Sequence, residues 1–188
     1  MLAGGGALLA TGLTTRPTED LDFFGERGRS NVTAAREQFE SALIARGWTV
    51  EQLQVSDTFA RLHVRGDADL LIDIAIDSTA GHPPIVSVVG PTFDREELAG
   101  RKLVALFDRA EARDFADVFV LAQRFGRDVL LARAAEVDHG FDTNVLAAMM
   151  RTLRRFTDDE IPVDPPVVDD LRDFFAAWAN ELDELDED

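Results

Sequence analysis

Polar and apolar residues alternate with a period of two in several stretches of the first half of the chain. In the second half they recur at helical spacing. Asp20, Leu21, Asp22 and Phe23 alternate and predict a strand over 20–24, with Leu21 and Phe23 turned toward a core. Further strands are expected at 49–54, 58–64, 70–76 and 85–89. Residues 2–4 read as the stub of a strand ending in a glycine turn, and a short helix is expected over about 6–13. Ser30 or Asn31 suits the cap of a helix running to Arg46, with Val32, Ala35, Phe39 and Leu43 at helical spacing and Gly47 as its stop. The character changes at Gly90-Pro91, after which helices are expected over 95–109, 114–125, 129–139, 143–155 and 167–185. Pro162, Pro165 and Pro166 mark the last linker, and Pro166 suits a first helical turn. These elements predict an α+β protein, with a small mixed sheet and flanking helices over 1–90. A C-terminal helical bundle over 91–188 is expected to pack against it.

Composition narrows the function classes. Hydrophobic residues make up 46% of the 188, enough for a sizeable core. There is no cysteine, which excludes disulfides and thiolate metal sites, and only three scattered histidines (His63, His82, His139), which argues against a zinc enzyme. The start lacks a basic stretch before its apolar run, and no apolar stretch reaches the ~18 residues of a membrane helix. A soluble cytoplasmic protein is expected.

The net charge of −17 is unevenly spread. Residues 158–188 hold thirteen Asp and Glu against the single Arg172, so that segment carries −12. It reads as a solvating face or, more sharply, as an electrostatic mimic that blocks a basic groove. Of nineteen basic residues eighteen are Arg and one is Lys102. Lysine is a compact point charge suited to a phosphate, whereas arginine is a planar fork.

The chemistry concentrates early. Asp20 and Asp22 sit two apart on a strand and so aim two carboxylates at one point. Paired carboxylates suit Mg²⁺, which keeps coordination places for substrate phosphates. Gly4, Gly5 and Gly6 form a turn whose amides approach an anion closely, with a helix N-terminus beyond, while Arg16 and Thr18 lie between the two halves. Together they predict a site for a nucleoside triphosphate. Asp73, mid-strand in LLIDIAID on the face of Asp69 and Asp77, is the candidate third carboxylate, or else a residue on the wet side of an edge strand. Lys102 and Arg109 lie seven apart on one helix face, with the small Ala105 leaving it accessible. Asp114 and Asp117, at i and i+3 on the next helix, either position that pair, or serve as a base, or form a salt-bridged seam. Thr18 is a turn hydroxyl in the plainest view, and a phosphate added there would bring about two negative charges beside the dyad and silence it.

These motifs resemble the AbiEii/AbiGii nucleotidyltransferase toxin family, which includes MenT-type toxins. The likeness is carried by Gly4, Gly5, Ala7 and Leu8, by Arg16, Thr18, Asp20 and Asp22, by Lys102, Ala105 and Arg109, and by Arg113, Asp114 and Asp117. It runs from about residue 2 to 125, in order. It implies a polymerase-β-like fold, Mg²⁺ at Asp20 and Asp22, triphosphate contacts from Gly4, Gly5 and Lys102, and a catalytic role for Asp117. Relatives carry a helix and full strand before the glycine turn, where only Met1, Leu2 and Ala3 stand here. The acidic balance is also unusual for a protein that holds RNA, although Arg residues cluster over 101–133 and at Arg151, Arg154 and Arg155.

The resulting expectation is a nucleotidyltransferase that moves NMP from NTP to an acceptor, foremost the 3′ end of tRNA, within a toxin–antitoxin or phage-defence system. Its antitoxin is the expected protein partner. An acceptor hydroxyl attacks the α-phosphate, with a second metal or Asp73 or Asp117 as base, and pyrophosphate leaves. Competing expectations are a protein-nucleotidylating enzyme, a non-catalytic nucleotide-binding or antitoxin-like member, and a structural domain.

Overall fold

The computed structural model describes residues 1–185. The chain divides into two compact units, Met1–Leu98 and Ala99–Asp188.

The first unit is built on one sheet. Its elements are β1 (Leu2–Ala3), α1 (Gly4–Ala10), β2 (Asp20–Glu26), α2 (Val32–Ile44), β3 (Thr49–Val55), β4 (Phe59–Arg65), β5 (Asp69–Asp77), β6 (Ile85–Ser87) and β7 (Gly90–Thr92). The strands lie in the order β3-β4-β5-β2-β1-β7-β6. The β2–β5 and β1–β7 pairs are parallel and the others antiparallel, so the sheet is mixed. Alternation along the strands sorts the residues by face. Leu21 and Phe23 of β2 pack on a core of Ala60, Leu62, Val64, Ile72 and Ile74, closed by Val32 and Leu43 of α2. Phe23 and Phe39 meet with ring centroids 5.6 Å apart. Each buried aliphatic or aromatic side chain contributes roughly 1.5–3 kcal/mol to holding α2 on this face. The other face carries Asp20, Asp22, Arg61 and Asp73. Asn31 starts α2 by accepting the Ala34 amide at 2.9 Å, as a cap residue should.

Three expectations shift here. The expected strand over 85–89 stops at Ser87, and Gly90, with φ +115, turns the chain into β7, which the sequence pattern does not reveal. The helix expected over 6–13 is α1, which begins at Gly4 and ends at Ala10. Ala35 is exposed, so α2 meets the core through Val32, Phe39 and Leu43.

The second unit is helical. Helix α3 (Arg95–Asp108) contains the division point and is followed by α4 (Ala112–Phe125), α5 (Arg127–Val137), α6 (Thr143–Arg151) and α7 (Val168–Leu185). The expected helix over 143–155 becomes α6 plus a tighter 3-10 turn at Thr152–Arg155. Leu103, Leu106, Phe115, Leu121, Leu130 and Trp178 are fully buried. Phe115 and Phe175 meet edge to face with centroids 5.0 Å apart, a favoured aromatic geometry. Several acids of the described part of the acidic stretch are ion-paired. Glu181 pairs with Arg127 and Asp183 with Arg151, while Asp158 accepts from Arg172 Nη2 at 2.7 Å. Arg127 also lies over the rings of Phe174 and Trp178. Among the described residues no helix is long and apolar enough to cross a membrane.

Candidate functional site

The sheet gathers the early motif residues. Asp20 and Asp22 share a face because they are two apart in β2. Asp22 lies between Ala3 of β1 and Asp73 of β5 in strand register. The antiparallel β4–β5 pair puts Arg61 opposite Asp73 on that face. The outward row thus runs Ala3, Asp22, Asp73, Arg61 across four strands.

Glycine is required where α1 meets β2. Gly4 has φ +58, and a Cβ there would lie 1.8 Å from Asp22 Oδ2, an overlap no side chain survives. At Gly5 a Cβ would meet Thr18 Oγ1 at 3.2 Å and Arg16 Nη2 at 3.5 Å. The structure therefore brings Gly4, Gly5, Arg16, Thr18 and Asp22 together. It also corrects their local form, since the glycines are the first turn of α1 rather than a turn ahead of it. Thr18 Oγ1 accepts from the Asp20 amide and donates to the Asp20 carbonyl, both at 3.2 Å, which fixes the entry to β2. Arg16 Nη1 donates to the Pro17 carbonyl at 3.2 Å.

Asp73 is held. Arg61 Nε donates to its Oδ1 at 2.8 Å and Nη2 to its Oδ2 at 2.6 Å. The Arg61 guanidinium has its pKa raised, chiefly by the hydrogen bond to Asp73, with burial opposing and the charges of Asp73, Asp20 and Asp22 adding. Sequence reasoning missed Arg61. The signal was its place in the hairpin, because a three-residue connection at 66–68 sets it directly across from Asp73.

The oxygen donors of Asp20 and Asp22 fit a hard divalent cation, and the Cβ-free approach of Gly4 to Asp22 leaves backbone beside the carboxylate. Among the described residues no group of three or more His, Asp or Glu side chains gathers to hold a metal ion. A cation at the dyad would thus complete its shell with substrate and water oxygens.

In the second unit Lys102, Arg109, Asp114 and Asp117 form one network. Lys102 Nζ lies 2.8 Å from Asp117 Oδ2 and 3.6 Å from Asp114 Oδ1. Arg109 Nε donates to Asp114 Oδ2 at 3.0 Å and Nη2 to Oδ1 at 3.2 Å. The ion pairing expected between the two helices is present. The accessible face is not, because Lys102 is only 7% exposed and Asp114 and Asp117 are buried. Asp114 is also fixed by a capping box, accepting the Glu111 amide at 3.2 Å. Between α3 and α4 the chain passes through Ala110 at φ +47, and Arg155 Nη2 donates to the carbonyls of Arg109 and Ala110 at 3.2 and 2.5 Å.

No curated protein matches the chain. The AbiEii family, described as nucleotidyl transferase AbiEii toxin of a type IV toxin–antitoxin system, matches residues 1–188 in full, and the chain belongs to this family of nucleotidyl transferase toxins.

Proposed function

We propose that this toxin transfers a nucleoside monophosphate from an NTP to the 3′ end of tRNA, with Mg²⁺ at Asp20 and Asp22. The observation that carries the metal reading is the packing of the Asp22 carboxylate over Gly4, beside Asp20 on the same strand face. Bound there, Mg²⁺ would neutralise the triphosphate and polarise the reacting phosphoryl group. The chain's own residues do the rest. The absence of a Cβ at Gly4 lets the Asp22 carboxylate pack against the backbone, and Thr18 bonds the Asp20 amide at the entry to β2, where both carboxylates share a face. Lys102 is the candidate phosphate contact of the second unit, and its ammonium lies 2.8 Å from Asp117. Asp117 holds that ammonium in place.

A second reading takes a protein as acceptor. The net charge of −17 favours it, because RNA phosphates bind best to positive surfaces. One experiment separates the two. Each α-labelled NTP is incubated with the protein, Mg²⁺, total tRNA and a protein extract. Label in tRNA that is removed by 3′ exonuclease supports the tRNA reading. Label in protein alone supports the second, and label in neither removes the transferase assignment of this site.

A further inference from the structure

Asp20, Asp22 and Asp73 share the outward face of two adjacent strands, and Asp22 and Asp73 are direct neighbours in the parallel register. Such strands run about 4.8 Å apart, within reach of one divalent cation. Yet among the described residues no three acidic or histidine side chains form a cation-holding group. Arg61 stands against Asp73. Its fork occupies both oxygens of Asp73 in charge-assisted bonds of 2.8 and 2.6 Å. The pair is imposed by backbone register, since Arg61 stands across from Asp73 in the β4–β5 hairpin. It is also partly shielded, the Asp73 side chain being 16% exposed.

We propose that Arg61 is a positioning residue that keeps Asp73 out of the divalent-cation site, so that Asp20 and Asp22 alone supply its protein ligands. This rests on the reading of Asp20 and Asp22 as metal ligands. Mg²⁺ in phosphate-handling sites is held by one or two carboxylates and keeps its other positions for phosphate and water oxygens. A third carboxylate would take one of those positions and set another negative charge against the triphosphate. Arg61 thus lowers the affinity for the bare ion and keeps coordination places open for the substrate. The raised pKa of Arg61 agrees, since its cation is stabilised mainly by Asp73 and further by Asp20 and Asp22.

The test is a calorimetric titration of Mn²⁺ alone, without nucleotide, into the full chain. Wild type is compared with Arg61→Ala, Arg61→Gln, Asp73→Asn and the double variant Arg61→Ala with Asp73→Asn. Both Arg61 variants are expected to bind Mn²⁺ about tenfold tighter, the size of effect seen for groups that orient metal ligands. The double variant is expected to return to wild-type affinity. Unchanged or weaker binding in the Arg61 variants, with wild-type melting temperature, overturns the proposal. So does a gain that persists in the double variant, because it would not run through Asp73. A merely structural ion pair would change the melting temperature without tightening the metal. Using two Arg61 substitutions covers a folding failure in either. Asp20→Asn in the same titration tests the underlying reading: Mn²⁺ binding that survives it sinks the dyad as a metal site, whatever Arg61 does.

Discussion

Two acidic groups in this chain use the same residue types in opposite surroundings. On the sheet, Asp20, Asp22 and Asp73 project from strands and are partly exposed. In the helical unit Asp114 and Asp117 are buried, with Lys102 against both. A half-exposed carboxylate can change partners with water's help. A buried one cannot be left alone, since removing one member of a buried pair strands the other charge. The difference sets carboxylates open to solvent against carboxylates whose charges also hold the fold.

The sharpest test of that contrast substitutes one acid in each. Asp20→Asn is expected to cost about 10³-fold in label transfer from α-labelled NTP while changing unfolding free energy by less than ~1 kcal/mol. Asp117→Asn is expected to lower unfolding stability by roughly 3–5 kcal/mol, read by urea denaturation. Equal stability losses at the two positions would break the comparison. Gly4→Ala should come next in size. Its methyl meets Asp22 Oδ2 at 1.8 Å and the residue sits at φ +58, so about 1–2 kcal/mol of backbone strain adds to a displaced carboxylate. Loss of metal binding without gross unfolding is the expected result, by calorimetry and circular dichroism.

Smaller effects fall in the helical unit. Ala110→Gly relieves the φ +47 conformation and is expected to stabilise by up to about 1 kcal/mol, less the extra entropy of an unfolded glycine. A destabilisation would mean that the Ala110 methyl, buried in the structure, matters more than the strain. Last comes Asp108, whose pKa is raised by burial and then by the nearby Asp138 charge. Its folded pKa lies above the unfolded value, so the ionised carboxylate destabilises the fold at neutral pH. That cost fades as pH falls through the folded pKa. Asp108→Asn should therefore stabilise by a few tenths of a kcal/mol at pH 7, after solvent screening, and by nothing near pH 3. Melting temperatures at the two pH values would check it.

Legibility followed the strength of local patterning. The alternation at Asp20–Glu26 and Asp69–Asp77 announced both strands and the carboxylates they carry, and Asn31 announced α2. Glycine misled at α1, because its intrinsic helix propensity is poor and only tertiary packing against Asp22 and Thr18 explains a helix starting there. Strand β7 was illegible for a related reason: Gly90-Pro91-Thr92 has turn composition and gains its strand character from β1 and β6. Arg61 was hidden because its meaning comes from a partner twelve positions away across a hairpin. The burial of Lys102 was hidden too, since a lysine on an otherwise amphipathic helix gives no sign that two aspartates enclose it.

The parallel pairing of β2 with β5 has a consequence for the timing of assembly. Strand β2 pairs with a strand roughly fifty residues further along, the last of the β3–β4–β5 meander, whose own pairings join segments nearer in sequence. Docking of such distant segments is a late and comparatively slow event. A polypeptide still emerging from the ribosome would carry Asp22 long before Asp73 was available to stand beside it in the sheet.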